Sequence, residues 1–298
     1  MFIHKSNTVI LPLIWLTIGI PTFRKPECLA KCLKGIFDNT PEEYRDKVEI
    51  IVVDNDENHS AKKICENFDM KCEYISGNFE IRTAESSMSI IESKFKGLYV
   101  WYLGDDDYIF STLQPIFNIF KSRPDTILLS YTHLNLNLIY VINRFLPNLL
   151  FKLVIKFCLH YRLGFISMQI FSRKLDNLYP LNHRFKQMSF LNKSISIISS
   201  SKKISIIKSP IFFDSPTAAT YNPVQYFNVF YAQVVNGLRC FPTAKFGYLI
   251  WAAFFFKIPG VSKIHFPSSE LTSSSLKISY YFFIIKSLLF NYIKKVIK

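Results

Sequence analysis

The chain reads as an α/β protein built on a mostly parallel central sheet flanked by helices. Short runs that are apolar on both faces, such as "EIIVV" and "LYVWYL", alternate with segments whose apolar residues recur at helical spacing, as parallel strands covered on both faces require. Polar clusters, "PTFR", "DNDEN" and "GDDD", each follow directly on such a run, and open α/β sheets bind ligands beyond the carboxyl ends of their strands. At 298 residues the chain suffices for one large domain, or for a domain with an appendage.

Leu13–Ile20 is apolar throughout and predicts a first strand ending at Pro21. Pro26 then suits a helix first turn, and Leu29, Cys32, Leu33, Ile36 and Phe37 form its apolar face. "EIIVVDN" is the second strand, before a helix beginning near Ser60 with Ile64, Cys65 and Phe68 on one face. "CEYIS" makes a third strand, residues 84–96 a helix through Met88, Ile91 and Phe95, and "LYVWYL" a fourth strand. A helix containing Pro115 leads to a fifth, "TILLSY". Beyond residue 133 the pattern weakens: "GFISMQIFSRK" reads as a strand and "FKQMSFLNKSISII" as a helix, with no internal repeat. Residues 1–218 are expected to form one domain and 219–298 a C-terminal helical, basic and apolar extension.

Thirty-six Lys and Arg against 22 Asp and Glu give a formal charge of +14, which favours anionic partners. Nucleic acid is disfavoured among these, because the cations are mostly Lys and spread along the chain or gathered in its tail, without the clustered Arg and aromatics of such a surface. No run reaches the roughly 18 apolar residues of a membrane span. Val9–Ile20, interrupted by Pro12 and without a small-residue cleavage pattern, is read as strand and not as a leader. The six cysteines form no Cys-x-x-Cys pair and have no His companions; Cys28 and Cys32, four apart on the inner face of a helix, are expected to be reduced core thiols, with a reducing cytoplasm as the default setting. Two segments, 141–161 and 276–298, mix bulky apolar residues with lysines. They suit the surface of an anionic membrane, with burial in the protein's own core as the rival reading.

Asp105, Asp106 and Asp107 are the sharpest chemical signal. Adjacent carboxylates raise one another's pKa and call for a counter-charge. A hard divalent cation such as Mg²⁺ or Mn²⁺ takes one or two carboxylates together with phosphate and water oxygens; the competing reading is a solvated turn. Asp54, at the end of "EIIVV", is placed to accept hydrogen bonds from a base or a ribose. Thr22 leaves the first strand through an ordinary Pro-Thr step.

"LTIGIPTFRKPECLAKCLKGI", "VEIIVVDNDEN" and "YVWYLGDDDYIFSTLQPI" together resemble a family 2 glycosyltransferase with the GT-A fold. The form "LGDDDY", with "LGFISMQIFSRK" at 163–174, is similar to the abequosyltransferases of bacterial O-antigen synthesis. The resemblance implies a nucleotide-diphosphate sugar donor, with Pro21, Thr22 and Arg24 near the nucleoside and Asp54 on the base or ribose. It places Asp105 and Asp106 at the donor, and Asp106 and Asp107 on a Mg²⁺ or Mn²⁺ ion against the diphosphate. Gly104 stands where the commoner Asp-x-Asp-Asp pattern has its first Asp. "GNFEIRTAE" keeps Asn78 and Arg82 of the family's segment after the third strand, Arg82 as a second cationic contact. An inverting transferase also needs a base. The stretch 183–191 offers no acid, and Gln187 replaces the subgroup's His, which leaves His183 and Asp214 as candidates. The implied acceptor is a glycan carried on a polyprenyl diphosphate, and the implied location is the cytoplasmic face of the membrane, peripherally bound. The alternative is a non-catalytic nucleotide-sugar or carbohydrate-binding protein on the same scaffold.

Overall fold

The computed structural model describes residues 13–80, 83–131, 166–181 and 189–214. The described residues fall into two compact units. The first holds residues 13–131, 166–180 and 201–214 and contains the whole sheet. The described part of the second is residue 181 and the helix Ser189–Ser200. The predicted boundary at 218/219 and the segments 141–161 and 276–298 lie outside the described residues. Among the described residues no helix is long and apolar enough to cross a membrane.

The first unit opens with β1 (Leu16–Thr22), α1 (Pro26–Asn39), β2 (Val48–Asp54), α2 (Lys62–Glu66) and β3 (Cys72–Ser76). It continues through α3 (Ala84–Lys94), β4 (Tyr99–Tyr102), β5 (Asp107–Ile109), α4 (Gln114–Phe120) and β6 (Thr126–Tyr131). After the undescribed stretch come β7 (Gln169–Ser172), α5 (Arg173–Leu178) and β8 (Ile204–Asp214). One sheet joins the strands in the order β3-β2-β1-β4-β7-β6-β8-β5. Every residue of β1, β2 and β4 is buried, which accounts for their unbroken apolar runs.

Parallel pairings predominate, as the sequence predicted, and antiparallel ones join them on one side of β4. β3, β2, β1 and β4 are parallel, but β7 runs antiparallel to both β4 and β6. β6 and β8 are parallel again, and β5 closes the edge antiparallel to β8. Two strands escaped the sequence pattern. β5 is three residues long and begins inside the aspartate triplet, where charge hides any alternation. β8 contains Pro210, a strand breaker in the sheet interior. The β6–β8 register jumps there, from Leu129 opposite Ile207 to Tyr131 opposite Phe212. Pro210 thus sits in an irregularity where no ladder N–H is required of it.

β1 also runs through Pro21, its predicted end, to Thr22. Gly19 aims its carbonyl toward β4, where Leu103 N–H donates to it at 2.9 Å. Two residues on, Pro21 faces the same side, where pairing has already ended at Gly19 and Tyr102. Its missing N–H costs nothing, and Thr22 still pairs with Asp54 on the other side.

α1 buries Leu29, Cys32, Leu33, Gly35 and Ile36, the predicted face, with Phe37 half-buried at its margin. Its small residues let it lie directly on β5. A Cβ at Gly35 would sit 2.7 Å from the backbone oxygen of Ile109, and Asn39 Nδ2 donates to that same oxygen at 3.1 Å. Near the start of β2 the buried Glu49 accepts from Thr17 Oγ1 at 2.6 Å and from the N–H of Lys96 at 2.5 Å. This fixes the turn that leads into β4.

Helix propensity alone predicts that Gly35→Ala stabilises α1 by about 1 kcal/mol. Forcing a methyl against an immobile backbone carbonyl costs about 1–3 kcal/mol. The expected outcome is no gain and a net loss of up to about 2 kcal/mol in urea denaturation, with the variant compared against wild type at one pH.

Candidate functional site

The register brings three strand ends to one rim. Thr22 at the end of β1 lies opposite Asp54 at the end of β2. Gly19 lies opposite Tyr102, two residues before the acidic loop. Asn55 N–H then donates to Thr22 O at 3.0 Å, so the loops after β1, β2 and β4 leave side by side.

Each aspartate of the triplet has its own partner. Asp105 is buried and accepts from Thr22 Oγ1 at 2.8 Å and from the N–H of Phe23. Asp106 has the more exposed carboxylate of the first two, 24 % against 11 %, and accepts from Lys25 Nζ at 2.7 Å. The same ammonium lies 3.9 Å from Asp105 Oδ1. Asp107 turns inward, where the Ser167 hydroxyl donates to Oδ2 and the N–H of Gly104 approaches it at 3.2 Å. Three like charges therefore coexist because a threonine, a lysine and a serine from three separate segments take one each.

Gly104 is required by this packing. A Cβ there would stand 2.8 Å from Asp107 Oδ2 and 3.1 Å from Asp106 Oδ1. Its carbonyl receives the buried Cys32 thiol at 3.7 Å. Burial, with Asp107, Asp105 and Asp106 close by, pushes that thiol well above its ordinary pKa. Cys28, Cys32, Cys65 and Cys72 are free thiols; Cys32 is buried as a core residue while Cys28 is only half-buried; Cys158 and Cys240 lie outside the described residues.

Asp54 is fully buried, and both its oxygens are engaged by its own loop. Oδ1 accepts the N–H of Asp56 at 2.9 Å and Oδ2 that of Ala61 at 3.0 Å. The carboxylate thus shapes residues 55–61, and the acids of that loop that face a cation are Asp56 and Glu57. Arg24 bridges to them, Nε to Asp56 at 3.3 Å and Nη2 to Glu57 at 3.1 Å. Arg24 adopts a left-handed backbone conformation, φ 54°, an uncommon one for a residue with a Cβ, and this turns the chain from β1 into α1.

Pro21, Thr22, Arg24, Asp54, Asp105, Asp106 and Asp107 are thus gathered on one rim. Asn78 stands in the exposed turn after β3, beside Gly77, whose N–H donates to Asp54 O at 2.8 Å. Asp214 ends β8 directly opposite Asp107 in the β5–β8 register. Arg82 and His183 lie outside the described residues. Two residues of the rim were not anticipated. Lys25 is signalled only by following Arg24 in "TFRKP"; Ser167 lies within "LGFISMQIFSRK", whose chemistry the sequence does not reveal. Trp101 Nε1 donates to Ser167 O at 2.7 Å and holds it beneath the acidic loop.

Among the described residues no three His, Cys, Asp or Glu side chains close around a single point. A complete protein cage is not needed for Mg²⁺ or Mn²⁺, which are commonly held by one or two carboxylates together with substrate phosphates and water. The hard oxygens of Asp106 and Asp105, one partly exposed and one oriented by Thr22, fit that donor set.

Residues 17–168, half of the chain, match the family model of glycosyl transferase family 2, and the chain belongs to that family. It is a glycosyltransferase of GT-A-like fold. Among solved structures it is similar to S. aureus TarS 1–349 in complex with UDP, at TM-score 0.57 and 15% identity over 86% of this chain and 77% of that one. The same TarS fragment in complex with UDP-GlcNAc is similar at TM-score 0.56 and 14% identity, over 92% and 81% of the two chains. The mannosyltransferase PcManGT from Pyrobaculum calidifontis, in complex with GDP-Man and Mn²⁺, is similar at 0.50 and 13% identity, over 94% and 87%. At these identities the likeness is one of fold. No curated protein matches the sequence.

The site makes one pH prediction. Burial, and then the neighbouring Asp106, push the Asp105 carboxyl up to about 6, against the opposing pull of Lys25, Thr22 and the Phe23 N–H. The folded pKa thus exceeds the unfolded one. The cost of ionising Asp105 is absent below about pH 4, grows as pH rises toward 6, and reaches roughly 3 kcal/mol above it. In the presence of a chelator, Asp105→Asn is expected to be more stable than wild type by about 1–3 kcal/mol at pH 7.5 and indistinguishable from it at pH 4. Urea denaturation at the two pH values measures the gap.

Proposed function

We propose that the protein transfers a hexosyl or deoxyhexosyl residue from a nucleotide-diphosphate donor to a polyprenyl-diphosphate-linked glycan, in the synthesis of a bacterial surface polysaccharide such as O-antigen or capsule. The reading is carried by the convergence of Thr22, Lys25, Asp105 and Asp106 on the rim of the sheet. Bound UDP, UDP-GlcNAc and GDP-Man in the TarS and PcManGT structures support the donor class. The Gly104 form of the acidic motif supports an abequosyltransferase-like subgroup.

The donor's nucleoside lies against Pro21, Thr22 and Arg24. Asp54 acts on it through the loop it shapes, Asn78 borders the far side, and Arg82 is the candidate for a second cationic contact. Asp105, fixed by Thr22, and Asp106 face the diphosphate; Asp107, held by Ser167, keeps the acidic loop folded so that they can. Asp106, with Asp105 beside it, would hold a Mg²⁺ or Mn²⁺ ion, which would supply charge neutralisation to the diphosphate. The sugar carbon develops oxocarbenium character as its bond to the diphosphate oxygen breaks, and negative charge gathers on the departing group. The acceptor hydroxyl attacks from the opposite face with inversion and gives its proton to a carboxylate or imidazole. Asp214, opposite Asp107 in the sheet, is the first candidate for that base and His183 the second. The basic, apolar segments 141–161 and 276–298 support peripheral binding at the cytoplasmic face of an anionic membrane, where a lipid-linked acceptor is found.

Calorimetry with UDP, GDP, CDP and dTDP, each with and without Mn²⁺, tests the reading. One nucleotide is expected to bind in a Mn²⁺-dependent manner, and Asp106→Ala to weaken that binding by at least a hundredfold. Equal affinity in wild type and variant, or no binding of any nucleotide, contradicts it. Transfer of radiolabelled sugar into a lipid extract then separates a transferase from a protein that only binds donor.

A further inference from the structure

Lys25 is the N-cap residue of α1, with Pro26 fixing the chain behind it and no capping bond of its own side chain. Its ammonium lies 2.7 Å from Asp106 and 3.9 Å from Asp105. Among the described residues it is the one cation within 4.0 Å of either carboxylate. Lys25 is 35 % exposed at its side chain, so its four-carbon stem can swing without disturbing the core.

An ammonium at hydrogen-bond distance from Asp106 opposes a divalent cation on the same carboxylate, because their charges repel at contact distance in a partly buried site. A diphosphate brought to this rim changes the balance. It carries several acceptor oxygens and a multiple negative charge, and offers the ammonium a better partner than a shared carboxylate.

Resting on the donor reading above, we propose that Lys25 is an internal competitor of the divalent cation. It occupies Asp106 until a nucleoside diphosphate arrives, then moves to the diphosphate and releases the carboxylate to the metal. Cation and nucleotide therefore bind as one coupled event. The coupling is reciprocal, since each ligand raises the affinity of the other by the same factor. Lys25 is a positioning residue in the first state and a donor contact in the second.

The test measures Mn²⁺ binding by electron paramagnetic resonance of the free ion, with and without UDP, GDP, CDP or dTDP, in wild type, Lys25→Met and Lys25→Arg. Circular dichroism verifies that each variant is folded, and Lys25→Gln replaces Lys25→Met if the latter is not. In Lys25→Met, Mn²⁺ affinity without nucleotide is expected to rise at least tenfold. Nucleotide affinity at saturating Mn²⁺ is expected to fall at least tenfold, so the coupling factor shrinks. Lys25→Arg, which keeps the charge, is expected to retain weak Mn²⁺ binding and most of the coupling. If wild type binds nucleotide with Mn²⁺ but Lys25→Met binds Mn²⁺ alone no more tightly than wild type, the competitor role is overturned and the donor reading stands. If wild type binds no nucleotide at any Mn²⁺ concentration, the donor reading fails and the competitor role with it.

Discussion

Three consecutive carboxylates at the end of a buried strand are the constraint on which the rest of this molecule depends. Left alone they repel, and each raises the cost of ionising the next. The fold meets this by supplying a separate partner to each one. Thr22 and the Phe23 N–H serve Asp105, Lys25 serves Asp106, and Ser167 with Gly104 serves Asp107. Those partners come from the end of β1, from the cap of α1 and from the turn before β7. The acidic loop is thus the point at which strands distant in sequence are tied together.

The scaffold serves that point. α1 approaches β5 closely because Gly35 faces it, and Cys32 meets the Gly104 carbonyl just before it. β1 continues through Pro21 so that Thr22 reaches the rim beside Asp54. Glu49, near the start of β2, sets the turn into β4 that delivers Gly104 and the aspartates to their place. Burial of Asp105 is the energetic consequence: the carboxyl is held in a setting that opposes its charge, and an arriving cation relieves that opposition. A site of this kind gives up stability for ligand affinity.

Much of this was legible in the sequence, because β1, β2 and β4 are buried on both faces and so appear as uninterrupted apolar runs with polar punctuation. The cluster at 105–107 and the exits of β1 and β2 could be placed together from topology alone. Legibility ended where pattern and environment part. β5 is too short and too acidic to show alternation, and β8 carries a proline tolerated only through an irregular register. Asp54 has the right position for a ligand contact, and each of its oxygens also accepts one N–H of its own loop, a detail that no spacing encodes. Ser167 and Lys25 act through three-dimensional contact with residues 60 and 81 positions away, which a linear reading cannot pair.

The central claim is that the acidic loop holds a divalent cation against a nucleoside diphosphate at the carboxyl rim of the sheet. Anomalous diffraction at the manganese edge, from crystals grown with Mn²⁺ and the nucleotide that binds, tests it most directly. The account predicts one strong peak in contact with the Asp106 carboxylate and with diphosphate oxygens, and Lys25 turned away from Asp106. A nucleotide bound at the rim with no peak there, or a peak remote from residues 105–107, contradicts it.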